Sequence, residues 1–244
     1  MSGNTLYADA ELYDAEFGGY RGDLRFYRRC VQLHPGVVVE LGCGTGRLCF
    51  ELGAAAYVGV DTSPEMLKRF GERAARLGVD AARVVGDAQS VPVAASSAAL
   101  VILAYNVLQH MMDEAALGRV LCEAARVGGA VALDTFMPPL PGMVRHDEDF
   151  GWTEQRRHPG GNVLDVAEQT VLDGPTQIQH TRLRFDDGDP APRIRTITRR
   201  LWAHGALRAA ILGAGLQLAE LWGDVDGEAW TERSPRFMAR CIRV

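Results

Sequence analysis

Lysine is almost missing from this chain of 244 residues: Lys68 stands alone among 26 basic side chains, and the rest are arginine. Schiff-base or lysine-nucleophile chemistry would therefore have to run through Lys68, which falls on a helix expected after the second strand. No apolar run approaches the roughly 18 residues that a membrane span needs. The N-terminus, MSGNTLYADAELYDAE, is acidic and carries no apolar stretch of the signal-peptide kind. Basic excess is lacking too: the net charge of −5 argues against a nucleic-acid binder. Five scattered cysteines (Cys30, Cys43, Cys49, Cys122 and Cys241) contain no C-x-x-C pair and read as reduced, mostly buried thiols of a cytoplasmic protein. What remains is ample apolar content, 47%, in a length that suits one domain or one domain with an insertion.

The segment Val37-Val38-Val39-Glu40-Leu41-Gly42-Cys43-Gly44-Thr45-Gly46-Arg47-Leu48 reads as a buried strand, a glycine turn and a helix start. A dinucleotide fingerprint places its third glycine three residues after the second. Here Arg47 holds that place and the glycine comes early, at 46. That spacing disfavours an NAD-dependent oxidoreductase. With Glu40 before the turn, the pattern E-x-G-x-G-x-G resembles motif I of the class I S-adenosylmethionine (SAM) methyltransferases.

Strand and helix alternate from there. Strands are expected at 37–41, 57–61, 82–86, 99–104 and 129–134, and helices at 46–53, 64–77 and 113–126. This alternation implies right-handed βαβ units and a parallel sheet covered on both faces. Residues 9–34 show helical spacing broken at Gly18-Gly19. After Pro138-Pro139-Leu140-Pro141 the rhythm changes to strand-like runs at 162–172, 176–186 and 193–202, joined by Asp-Gly turns. A helix at 203–213 and strands at 216–222 and 236–243 close the chain. The expected fold is a doubly wound, seven-stranded, mostly parallel α/β sheet (Rossmann-like) with an inserted antiparallel β lid. Its divisions are a helical cap over 1–36, a SAM-binding domain over 37–137 and 203–244, and the lid over 138–202.

The resemblance implies SAM as cofactor and S-adenosylhomocysteine as product, and it assigns candidates residue by residue. Backbone at Gly42, Cys43, Gly44 and Gly46, with Glu40, would cradle the amino-acid and ribose portions. Asp61, at the end of the second strand and 21 residues beyond Glu40, can accept hydrogen bonds from both ribose hydroxyls. Thr62 counts with that set, and Thr62-Ser63-Pro64-Glu65 supplies the cap of the next helix. Met66 packs on adenine or ribose, or in the core. Asp87 and the Ala88 backbone are similar to the family's adenine-reading pair. Tyr105 and Asn106 stand at the motif IV position, near the methionine end. His110 is the candidate that orients the acceptor or takes its proton, since an ordinary imidazole titrates near neutrality. Asp113 is read as a helix cap.

The opening Leu12-Tyr13-Asp14-Ala15-Glu16-Phe17-Gly18-Gly19-Tyr20-Arg21 resembles that of amino-sugar N,N-dimethyltransferases and the glycine N-methyltransferase-like group. It makes Tyr13 and Arg21 cofactor candidates and Tyr20 a catalytic one. Phe17 departs from that pattern, where the amino-sugar enzymes place another tyrosine. The lid arginines Arg182, Arg184, Arg193, Arg195, Arg199 and Arg200 either recognise an acidic substrate or decorate an exposed strand face. Trp152 and Trp202 either wall the acceptor pocket or fill the lid core. His146-Asp147-Glu148-Asp149 reads as a solvated loop, and no metal is expected. The reading is a methyltransferase acting on a small-molecule acceptor, with nitrogen favoured over the hydroxyl or carboxylate of an O-methyltransferase. A non-catalytic SAM-binding protein is the rival. Neither nucleic acid nor membrane is an expected partner: the motif IV region has no N-P-P-Y or D-P-P-Y. The chain is expected as a monomer or homodimer.

Overall fold

The computed structural model describes residues 5–139 and 150–244. Seven strands form the main sheet: β1 Val37–Leu41, β2 Ala56–Asp61, β3 Ala82–Val85, β4 Ala98–Leu103, β5 Gly128–Phe136, β10 Leu216–Trp222 and β11 Arg236–Arg243. Their order is β10-β11-β5-β4-β1-β2-β3. Strands β1 to β5 pair in parallel, while β11 runs antiparallel between β5 and β10. The central strands are apolar because they are covered twice: Val38, Val39 and Leu100 to Leu103 are fully buried.

Helices α5 Glu114–Val127 and α6 His204–Gly213 cover one face through Leu117, Val120, Leu121, Leu207 and Ile211. Helices α2 Leu24–Leu33, α3 Cys49–Leu52 and α4 Pro64–Leu77 cover the other through Phe26, Tyr27, Leu67 and Phe70. Helix α4 begins where its cap residues dictate: Ser63 Oγ accepts from Met66 N–H at 3.3 Å, and Pro64 occupies the first turn. Asp113 caps α5 in the same manner, accepting from Ala116 N–H at 2.7 Å.

Three elements differ from the sequence reading. The helix expected over 46–53 shrinks to one turn, α3, because residues 45–48 stay in turn conformation to close the glycine loop. The helical N-terminus divides into a short 3₁₀ turn at Leu6–Ala8, helix α1 Ala10–Phe17, and α2. The second sheet has four strands: β6 Trp152–Arg157, β7 Val163–Asp173, β8 Ile178–Asp186 and β9 Arg193–Arg200, in sequential antiparallel order. Edge strand β6, T-E-Q-R-R after Trp152, alternates too little to announce itself.

The small sheet rests on the N-terminal segment. Leu6 and Leu12 share a buried cluster with Leu164, Val166, Leu183, Phe185 and Ile197. Ion pairs Arg195–Asp9 (2.8 Å) and Arg156–Glu16 (3.1 Å) join the same two units. Asp14 then ties α1 down to the main domain through Arg69 and Arg73 of α4, both at 3.0 Å. The N-terminal segment, the small sheet and the main sheet thereby border a common cavity at the carboxyl ends of β1 to β4.

Candidate active site

The glycine turn after β1 is stitched to the end of β2. Gly42 and Cys43 N–H groups both donate to Val60 C=O, at 2.8 and 3.1 Å. Gly44 N–H donates to Asp61 Oδ2 at 2.8 Å, and Ser63 N–H donates to Oδ1 at 2.9 Å. Burial raises the proton affinity of Asp61, and these backbone donors oppose that rise. No cation pairs with this carboxylate among the described residues, so its remaining lone pairs suit neutral donors such as a ribose diol.

Glu40 is buried and accepts from the Tyr57 hydroxyl. Burial pushes its carboxyl up to about 8. Asp87, beyond β3, accepts from Gln89 N–H at 2.8 Å and keeps its other oxygen available. Gly46 performs a packing task. Its φ is +79°, and a Cβ there would sit 2.4 Å from the Phe70 ring.

After β4 the backbone takes two consecutive left-handed turns at non-glycine residues, Tyr105 (φ 53°) and Asn106 (φ 68°). Such conformations cost on the order of 1–3 kcal/mol each and persist only where the surroundings impose them. Asp134 of β5 imposes them here. Its Oδ1 accepts from Tyr105 N–H at 2.6 Å and from Tyr27 O–H at 2.6 Å. Its Oδ2 accepts from Arg236 at 2.8 Å, and its carbonyl accepts from Asn106 N–H at 3.3 Å. Asn106 Oδ1 in turn accepts from Phe136 N–H at 2.7 Å, which leaves the buried Asn106 Nδ2 without a partner.

His110 ends the 3₁₀ turn Val107–His110 and meets Tyr7 of the N-terminal turn. Tyr7 Oη lies 2.9 Å from His110 Nε2, and the rings stack edge to face at 5.1 Å. Burial, then the positive charge of Arg199, bring His110 down to about 4, opposed by a hydrogen bond to the Thr198 backbone. Burial thus favours the neutral imidazole, and its Nε2 is engaged by the Tyr7 hydroxyl. Burial raises Tyr7 well above an ordinary tyrosine, so it keeps its proton.

These groups border one cavity of about 670 Å³. Of the residues anticipated from sequence, Tyr13, Glu40, Gly42, Cys43, Gly44, Asp61, Thr62, Met66, Asp87, Ala88, Tyr105, Asn106 and His110 line it. Gly46, Tyr20 and Arg21 do not. Arg21 points outward, paired with Glu51 at 2.9 Å. Tyr20 backs Tyr105, with ring centroids 4.9 Å apart, and so acts on the cavity wall from behind. The sequence reading missed Tyr7 and Arg47 and left Arg199 unassigned among the lid arginines. Arg47 carries a doubled bond to buried Asp23, at 2.6 and 2.7 Å, and faces the Tyr20 and Tyr105 rings. An arginine in place of a motif glycine was the available signal. Trp202 fills the core, its indole N–H donating to Leu108 C=O at 2.9 Å. The side chain of Trp152 and the run His146–Asp149 lie outside what the structure describes. Among the described residues no group of three His, Cys, Asp or Glu is placed to hold a metal, and no helix is long and apolar enough to cross a membrane.

Residues 38–128 match the family model described as "Methyltransferase domain". That segment is similar to a methyltransferase domain. The seven-stranded sheet is a fold shared with solved SAM-dependent methyltransferase structures. Two solved structures share the fold over nearly the whole chain. The CcbJ methyltransferase from Streptomyces caelestis superposes with a TM-score of 0.77 at 19% identity, covering 99% of both chains. SAM-bound CalS10 from Micromonospora echinaspora, an amino pentose methyltransferase involved in calicheamicin biosynthesis, superposes at 0.70 with 16% identity, covering 96% of this chain and 97% of that one. A curated relative, the ribosomal protein L11 methyltransferase of Xanthomonas euvesicatoria pv. vesicatoria, is 36% identical over 99 residues, 39% of this chain. The chain spans only 30% of that relative's length.

The cavity fits the cofactor of such a domain. Its volume is that of a site for a ligand of this size, it holds a cation-free carboxylate at the end of β2, and it presents an orphaned buried amide at Asn106.

Proposed function

We propose that this protein transfers a methyl group from SAM to the nitrogen of a small-molecule acceptor. The observation that carries the reading is the convergence of the glycine turn, Asp61, Asp87 and Asn106 on one cavity bordered by the N-terminal segment and the small sheet. Bound SAM would supply an electrophilic methyl carbon on a sulfonium. Asp61 would accept from the ribose hydroxyls, and Asp87 with the Ala88 N–H would read the adenine. Asn106 Nδ2, which has no partner inside the protein, would donate to the carboxylate of the methionine end, while Glu40 and the turn hold its remaining portion.

The acceptor would enter beside Tyr7, His110 and Tyr105. The Tyr7 hydroxyl pairs with His110 Nε2 and keeps an oxygen lone pair to receive an N–H or O–H of the acceptor. A histidine brought down to about 4 removes a proton poorly. A neutral amine needs no proton removed before it attacks, whereas an alcohol does, and this asymmetry favours nitrogen. Catalysis then rests on alignment and on the exclusion of water by the lid. CalS10, by its name an amino pentose methyltransferase, acts on a small molecule that carries an amine.

The test is release of S-adenosylhomocysteine from protein and SAM with matched amine and hydroxyl metabolites and a no-acceptor control. Turnover with amines alone is expected. Turnover with hydroxyls alone would replace the reading by O-methylation, and SAM binding without any turnover would favour a cofactor-binding protein that transfers nothing.

A further inference from the structure

Strand β9 carries a row of arginines, and their partners separate them. Arg193 pairs with Asp187 at 3.0 Å, and Arg195 with Asp9 at 2.8 Å. Arg200 donates to Met112 C=O at 2.7 Å and lies 4.3 Å over the Trp202 ring. Arg199 borders the cavity, yet among the described residues it has neither a hydrogen bond nor an ion pair, and its Nε is buried. Its positive charge is felt by Tyr7, Tyr105 and His110, the three aromatic groups at the acceptor end.

The acids of the cavity stand elsewhere. Glu40, Asp61, Glu65 and Asp87 come from the ends of β1, β2 and β3 and the start of α4. The other cavity arginine, Arg47, is neutralised by Asp23. A half-buried guanidinium bordering the cavity without an anion leaves a positive charge unbalanced there, and a sulfonium entering the same cavity adds a second. That imbalance falls if the acceptor itself carries the missing anion.

We propose that Arg199 is the acceptor-binding residue for a carboxylate, so that the substrate is an amine bearing a carboxylic acid group. This rests on the methyltransferase reading above and narrows its substrate class. A guanidinium fork and a planar carboxylate match in both charge and geometry. One guanidinium balances one negative charge, the charge of a single carboxylate.

The test measures calorimetric binding of paired probes to the protein, with and without S-adenosylhomocysteine: 3-aminobenzoate against 3-aminobenzamide, and β-alanine against phosphoethanolamine. The carboxylates should bind about tenfold or more tightly than the amide or the phosphate. Arg199→Gln should abolish that preference, and Arg199→Lys should restore part of it, which a merely structural role would not do. Equal binding of acid and amide, preference for the phosphate, or no carboxylate binding at millimolar concentration overturns the proposal. SAM binding is titrated in parallel. A carboxylate preference without SAM binding would sink the methyltransferase reading and leave the role of Arg199 standing; SAM binding without the preference does the reverse.

Discussion

Replacing Asp134 by asparagine isolates the element on which the acceptor end is built. The change preserves side-chain shape and removes one negative charge from a fully buried position. Arg236, 6% exposed and bonded to Asp134 at 2.8 Å, then loses its only ion-pair partner among the described residues. Breaking a buried pair from one side costs roughly 3–5 kcal/mol. The amide nitrogen must also face one of three donors: Tyr27 O–H, Tyr105 N–H or the guanidinium. In a chain of this size each kcal/mol lowers Tm by about 2–4 °C, so Asp134→Asn should lose about 6–20 °C by scanning calorimetry. Adding Arg236→Gln should recover part of the loss, because the stranded charge is gone. Methyl transfer should fall further than stability alone accounts for, as Tyr105 and Asn106 leave their left-handed conformations. A Tm within about 2 °C of the parent would refute the claim that a buried charge network holds this turn.

Three further predictions follow from the same geometry. Gly46→Ala places a Cβ against Phe70 at a left-handed φ and should cost about 2–4 kcal/mol by urea unfolding; a loss under about 0.5 kcal/mol would contradict the packing role of this glycine. The Glu40 carboxyl titrates higher in the fold, about 8, than in an unfolded chain, so the folded state holds the extra proton. Its contribution is therefore complete at low pH and is lost as pH rises toward and through 8. In cofactor-free protein Glu40→Gln should flatten the fall in stability between pH 5 and 8. His110 behaves in the opposite sense: its folded value near 4 lies below the ordinary 6.5, so its contribution is present above 6.5 and is lost as pH falls toward 4. A histidine-selective NMR titration should find one ring with a midpoint near 4, and a midpoint above 6 would contradict its burial beside Tyr7 and Arg199.

The central sheet was legible because its strands carry runs such as Val37-Val38-Val39 and Leu100-Val101-Ile102, which only double coverage explains. Helix α4 was legible at both ends, since Ser63-Pro64-Glu65 starts it and Gly78 stops it. Strand-end acids drew attention to Asp61, 21 residues beyond Glu40, and to Asp87. Long-range pairings stayed hidden. No local pattern shows that Tyr7, 103 residues away from His110, reaches its ring, or that Arg21 turns outward to Glu51. Asp134 offered one visible clue, a carboxylate inside the apolar strand A-V-A-L-D-T-F, but its three donors come from β11, α2 and the loop after β4. The separation of Arg199 from the other lid arginines likewise depends on which acids the fold brings opposite each one.

The most direct test of the account is a calorimetric titration of SAM into the purified protein, with NAD as the competing ligand and Asp61→Asn as the variant. One SAM site per chain is expected, displaced by S-adenosylhomocysteine and indifferent to NAD, with affinity about tenfold or more weaker in the variant as the hydrogen bonds to the ribose diol are lost. Binding of NAD with no heat from SAM, or SAM binding that Asp61→Asn leaves unchanged, would contradict it.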